Sequence, residues 1–248
     1  MLDYEPIVKR WFLGLGYQIT KIPETNEESP DFLIVDDTST YLLELKTKFP
    51  SDEEIGERKK LLSFGEIHNI DELITRKNGL SKIIRKAKNQ LGKYKKGGDK
   101  ILRLVWLLST GHLAEPRLYQ FETTLYGLAY LQSAERYGGC YFFYDSDFFR
   151  YREVLDAAIV STQSEGKLLI NSLSPRYSQM KNSSLLKHFR EASIVDPINL
   201  EKEGRAFLVY SDVDRADEEG VLQYLKGKYN SDKIVIDTMH YLSGTIDS

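Results

Sequence analysis

The 248-residue sequence contains a single cysteine, Cys140. One thiol forms no internal disulfide, and a cysteine-based zinc or iron–sulfur site is excluded. The four histidines, at 68, 112, 188 and 240, show no metal-ligand spacing. No glycine-rich phosphate loop is present, so no ATP site is expected in this chain. The longest apolar stretches, such as "ILRLVWLL", are interrupted and too short to span a bilayer. The segment "MLDYEPIVKRW" carries charges where a signal peptide has its apolar core. There is no internal repeat and no low-complexity tract. The formal net charge is only −3, so bulk charge does not point to a nucleic-acid partner. These absences leave a soluble cytoplasmic protein without a membrane partner as the expectation.

With 41% hydrophobic and 29% charged residues, the composition supports a substantial core. The length suits one large domain, or a core with an elaboration. Asp3 is a candidate cap for a first helix, with Pro6 tolerated in its opening turn. Ile7, Val8, Trp11, Phe12 and Leu15 fall on one helical stripe, with Glu5 near its edge. "YQITKI" (17–22) reads as a strand. Residues 31–35 and 41–47 read as two further strands joined by the polar turn "DDTST". Residues 51–79 are acidic, through Asp52, Glu53, Glu54, Glu57, Glu66, Asp71 and Glu72, and read as a loop holding a short helix. From Leu80 a helix is clear. Leu80, Ile83, Ile84, Ala87 and Leu91 share a face that also takes Gln90 and Tyr94. "ILRLVWLLS" (101–109) reads as a strand buried on both sides. Beyond it come a helix over about 117–134, strands at "AAIV" and "LLI", and a loop at 174–184. A closing strand–helix–strand unit fits "AFLVYS", "EEGVLQYLKGKY" and "KIVID".

The second hairpin strand is the anomaly. Glu44 and Lys46 interrupt an apolar run, and because side chains alternate, both point to one face. Asp31 opens the partner strand. Burying these charges is costly unless they pair. A twisted hairpin can bring Asp31 and Glu44 to one end of the sheet, and two convergent carboxylates need a cation. Mg²⁺ or Mn²⁺ suits such oxygen ligands, with Lys46 supplying a positive point beside them. That set fits phosphodiester hydrolysis. The alternative reading is solvated charge at a sheet edge.

Pro30-Asp31 and Glu44-Leu45-Lys46, in a helix–hairpin order, resemble the PD-(D/E)xK nuclease superfamily. Gln90-Leu91-x-x-Tyr94 looks like the QxxxY motif of its RecB-like branch. The resemblance covers about residues 3–109. It implies an α/β fold with a restriction-endonuclease-like core, a mixed central sheet flanked by helices, and a C-terminal α/β elaboration. The core would span 1–110 with an insertion at about 50–79, and the elaboration 111–248. Asp31, Glu44 and the Leu45 carbonyl would hold the metal, and Lys46 would assist the attacking water. Glu5 stands where the superfamily often carries an acidic residue on its first helix. Gln90 and Tyr94 would position the strand, although both also suit a core with satisfied hydrogen bonds.

From Arg76 to Arg103 lie eleven basic residues and one acid, Asp99. Such a run is either a solvated helix face or a phosphate-tracking surface, in which Arg85, Lys86 and Lys93 are candidate nucleic-acid contacts. The aromatic run 141–151 reads as buried strand before base-stacking platform. The function implied is a metal-dependent nuclease, acting on DNA before RNA, in a defence or DNA-processing system. The alternative is an inactive nuclease-fold subunit that binds for a larger complex. Partners would be nucleic acid and a helicase or ATPase, with self-association into a homo-oligomer left open.

Overall fold

The computed structural model describes residues 3–23, 28–63, 68–73, 77–94, 100–237 and 241–246. The chain runs through α1 (Glu5–Gly14), β1 (Gln18–Lys21), β2 (Phe32–Val35) and β3 (Thr40–Lys48). Next come α2 (Asp52–Ser63), β4 (His68–Leu73), α3 (Asn78–Lys93) and β5 (Ile101–Ser109). The chain continues with α4 (Ala114–Tyr126), β6 (Ala129–Gln132), β7 (Tyr137–Tyr141), α5 (Asp147–Arg150), β8 (Ala157–Ser161), β9 (Gly166–Ile170) and α6 (Tyr177–Lys181). Short 3₁₀ turns then lead to β10 (Ile194–Val195), α7 (Pro197–Lys202), β11 (Phe207–Leu208), α8 (Glu218–Tyr229), β12 (Val235–Asp237) and β13 (Tyr241–Ile246).

The main sheet has seven strands in the order β1-β2-β3-β5-β8-β9-β10. Its β1, β2 and β3 are antiparallel, β3, β5 and β8 are parallel, and β8 runs antiparallel to β9. The architecture is therefore α/β with a mixed sheet. Strand alternation divides its side chains between two apolar layers. Leu42 and Val105 pack with Leu80, Ile84, Ala87 and Leu91 of α3, together with α4 and the aromatics of 141–148. Tyr41, Leu43, Leu104 and Trp106 pack on the opposite face with Tyr4, Val8 and Phe12 around α1. A second sheet, β11-β7-β6-β12, lies beyond α4, and β4 pairs with β13 in a two-stranded ribbon. Among the described residues, no helix is long and apolar enough to cross a membrane.

Several expectations change here. Asp3 Oδ1 accepts the Glu5 N–H at 3.0 Å, but Tyr4 is the residue that enters α1. Ile7 leaves the α1 stripe, with 55% of its surface exposed, and Val8 and Phe12 carry the packing. The insertion at 50–79 contains the twelve-residue α2 and the strand β4, whereas Glu66 and Arg76 lie outside the described residues. The fourth helix stops at Tyr126 instead of about 134. Gly127 ends it with φ 60°, its N–H bonded to Thr123 O at 2.8 Å. Residues 174–184 include the short helix α6. β8, β9 and β10, from the part of the chain after residue 110, complete the main sheet.

Candidate active site

The β2–β3 ladder pairs Phe32 with Leu43 as its last rung. One step further, the register sets Asp31 opposite Glu44. Opposite residues of an antiparallel pair share a face, with Cβ atoms about 5 Å apart. The Asp31 N–H donates to Glu44 Oε2 at 3.2 Å, and Asp31 Oδ2 accepts the Leu45 N–H at 2.7 Å. In an extended strand the N–H and C=O of one residue point to the same side. The Leu45 carbonyl is therefore turned toward the Asp31 side, where the β2 ladder has ended.

Glu44 is fully buried, and Lys46, two residues on, donates to its Oε1 while keeping 23% of its side chain exposed. The same ammonium donates to Gln90 Oε1 on α3 at 2.8 Å. Gln90 in turn donates from Nε2 to the Ser29 carbonyl at 3.2 Å, tying α3 to the segment that delivers Asp31. Burial, then the nearby Asp31 charge, pushes the Glu44 carboxyl up to about 8 against the pull of Lys46. Burial also raises Asp31, outweighing the Leu45 N–H and Lys46, with Glu5 adding a smaller push in the same direction. Two acids both raised mainly by burial at one corner of the sheet form a place where added positive charge is favourable.

Glu5 reaches the rim from α1, on the other face of the sheet, where it is ion-paired with Lys21 of β1. Lys93 pairs with Glu28 at 2.8 Å. That bond, and then the charges of Lys93, Lys46 and Lys86, hold the Glu28 carboxyl below its ordinary range. Arg85 and Lys86 are exposed on α3. Tyr94 lies just past the end of α3 on extended backbone and packs against the core, so it sits outside the hydrogen-bonded cluster just described. Lys95, Lys96 and Asp99 of the basic run lie outside the described residues. Within the aromatic run Tyr141, Phe142, Phe143 and Phe148 are buried, Phe149 and Tyr151 are half-buried, and Tyr144 is exposed.

Lys21, Glu28 and Ser29 were not singled out from the sequence, although all three bond to residues that were. Their partners Glu5, Lys93 and Gln90 are distant in the chain. Comparison with protein-family models, with curated proteins and with solved structures finds no match.

The donor set fits a hard divalent ion in its chemistry: two carboxylates and a backbone carbonyl at the rim of one sheet. Asp31 and Glu44 would hold the ion, with the Leu45 carbonyl beside them. The described residues contain no cluster of three or more His, Cys, Asp or Glu arranged for a metal, so waters and substrate oxygens would complete the shell.

Proposed function

We propose that this chain is a metal-dependent nuclease of the PD-(D/E)xK kind that hydrolyses phosphodiester bonds, with DNA as its substrate. The observation that carries the reading is the meeting of Asp31, Glu44 and Lys46 on one face at the rim of the sheet, with Gln90 holding the Lys46 ammonium. Mg²⁺ or Mn²⁺, held by Asp31, Glu44 and the Leu45 carbonyl, would supply a Lewis acid for the phosphoryl oxygen and a water of lowered pKa. Lys46, already hydrogen-bonded at the edge of the carboxylate pair, orients that water or meets the charge that builds on the phosphate. Gln90 fixes the ammonium in reach, and the exposed bases of α3 draw the phosphate backbone. Glu5 lends further negative charge from the opposite face.

The test is incubation with circular plasmid, linear duplex, single strands and RNA, in Mg²⁺, Mn²⁺ or EDTA. The reading expects metal-dependent loss of DNA that vanishes in EDTA and in Lys46→Ala. A second reading has its own observation: both Glu44 oxygens are engaged, by the Asp31 N–H and by Lys46. A subunit that binds nucleic acid without cutting it would tolerate that closed arrangement. Intact substrates in every buffer, with binding retained, would select this second reading.

A further inference from the structure

Among the described residues two arginines are buried, Arg117 at 4% and Arg215 at 5% exposed, and they are held differently. Arg117 donates from Nη2 to Glu54 Oε1 at 2.6 Å. The buried acids Glu44, Asp156 and Asp196 are likewise ion-paired, with Lys46, Arg176 and Lys181. Arg215, between β11 and α8, has no ion pair among the described residues. Its guanidinium donates to three backbone carbonyls, those of Val213, of Ser211 at 2.7 Å and of Val209 at 3.4 Å. Its Nε is buried and has no hydrogen-bond partner among the described residues. A buried guanidinium held by neutral acceptors alone keeps a desolvation cost that an anion would offset. Burial pulls Arg215 below its ordinary range and the charge of Arg152 adds to the fall, against the opposing pull of Cys140, Tyr224 and Asp212.

Arg152 stands beside it. The guanidinium carbons of Arg215 and Arg152 lie 4.5 and 4.9 Å from the centroid of one ring, that of Phe149 in α5. Arg152 donates from Nη1 to the Phe149 carbonyl at 3.1 Å and keeps 40% of its side chain exposed. Asp212 Oδ1 lies 3.9 Å from Arg152 Nη2, with 96% of the Asp212 side chain in solvent. So open a pair contributes little, and Asp212 gives way readily to another anion.

We propose that Arg152 and Arg215, gathered at the ring of Phe149, form an oxyanion site that takes a phosphate group. Guanidinium groups match phosphate oxygens and are weakly hydrated, which suits a site where one of the two is already out of water. Arg215 supplies fixed charge, because three carbonyls pin it, and Arg152 supplies the donor that solvent reaches. Two cations from separate segments suit a tetrahedral group that offers several oxygens. The site uses neither a metal nor Asp31, Glu44 and Lys46, so it goes beyond the nuclease reading. One contact links the two regions: Lys88 of α3, two residues before Gln90, lies 5.5 Å from the centroid of the Tyr151 ring, next in the chain to Arg152. The phosphate is therefore either a free one or one carried by a nucleic-acid strand that passes over α3.

The experiment is isothermal titration calorimetry with inorganic phosphate, and with sulfate as a second tetrahedral probe, at an ionic strength held constant with chloride. The wild type is expected to bind phosphate saturably. Arg152→Gln is expected to weaken that binding about tenfold or more, since a charge-assisted hydrogen bond is lost. Asp212→Asn is expected to tighten it, and Arg205→Gln, which removes an exposed arginine elsewhere, should leave it unchanged. Arg215→Lys keeps a charge but loses the fork, and should weaken binding as Arg152→Gln does. Arg152 is part-exposed, so its variant decides the matter even if the Arg215 variant does not fold. A second arm reads fluorescence anisotropy of a short single-stranded DNA in EDTA. DNA affinity that falls in Arg152→Gln, with phosphate displacing the DNA from the wild type, assigns the site to a strand phosphate. DNA binding that ignores Arg152 assigns it to free phosphate. A wild type that binds neither phosphate nor sulfate, an Arg152→Gln variant that binds them as tightly, or an equal loss in Arg205→Gln overturns the site. The cleavage assay can give either answer without altering this outcome.

Discussion

Asp31 and Glu44 face each other one step past the last rung of the β2–β3 ladder, and the Asp31 N–H bonds Glu44 Oε2 at 3.2 Å. The position is informative because a carboxylate pair inside the ladder would have to be covered on both sides. Here β2 has just ended, so the pair meets at the end of the ladder, with Asp31 part-exposed and Glu44 buried. Asp31→Ala, Glu44→Gln and Lys46→Ala are each expected to lower cleavage by about 10²-fold or more. Circular dichroism should retain the wild-type helix and strand signal. Full activity of the Lys46 variant would remove that lysine from the chemistry.

The same pair sets a pH dependence. Burial and the Asp31 charge raise the Glu44 carboxyl from an ordinary 4.5 to about 8. Between those values the folded protein keeps a proton that the unfolded chain has released. The contribution to stability is therefore complete below about 4.5 and is lost as pH rises through about 8. In EDTA, the wild-type Tm is expected to fall across that window, and Glu44→Gln, which cannot ionise, should flatten the profile. Adding Mg²⁺ should raise Tm most at the alkaline end, where the carboxylates are free of protons. Identical profiles for wild type and Glu44→Gln would contradict the raised carboxyl.

The hairpin and its charges were legible in the sequence because each rests on a period of two. Alternation placed Glu44 and Lys46 on one face, and the apolar runs around "DDTST" marked the strands. The α3 face was equally legible, with Leu80, Ile84, Ala87 and Leu91 all buried as their spacing implies. What pairs across long distances was not. β4 is held by β13, more than 160 residues later in the chain, so nothing near residues 68–73 announces a strand. The Lys46–Gln90 bond has the same character. Periodicity also overran two helix ends, at Tyr94 and at Gly127, since a repeating pattern does not show where the backbone turns away. The Ser51–Glu54 capping box is a local signal for the start of α2, set within an acidic stretch that masks it.

The end of α4 gives a stability test. Gly127 has φ 60°, and a Cβ there would collide with the Tyr144 carbonyl. The Gly127 carbonyl also accepts the Tyr144 N–H at 3.0 Å, so the two segments cannot simply separate. Gly127→Ala is expected to destabilise the protein by more than about 1 kcal/mol. Urea denaturation would show this as a lower midpoint. An unchanged midpoint would mean that the 142–146 turn yields easily.

Gln90 offers the sharpest separation between structure and chemistry. Its amide oxygen accepts from Lys46 at 2.8 Å and its amide nitrogen donates to Ser29 at 3.2 Å, so one side chain joins the ammonium to the Asp31 segment. Under the proposed nuclease reading it would act as a positioning residue, through Lys46. Gln90→Ala removes both bonds and is expected to lower kcat about tenfold, with a smaller change in KM, because the ammonium loses one of its two anchors. Gln90→Glu keeps the acceptor but loses the donor to Ser29 and adds a carboxylate beside two that already resist ionisation. That variant should shift the pH–rate profile to higher pH, a change that loss of packing alone would not produce. Steady-state kinetics of the two variants across pH provide the check. A fall in Tm with no change in kcat or profile would make Gln90 a packing residue and leave Lys46 positioned by Glu44 alone.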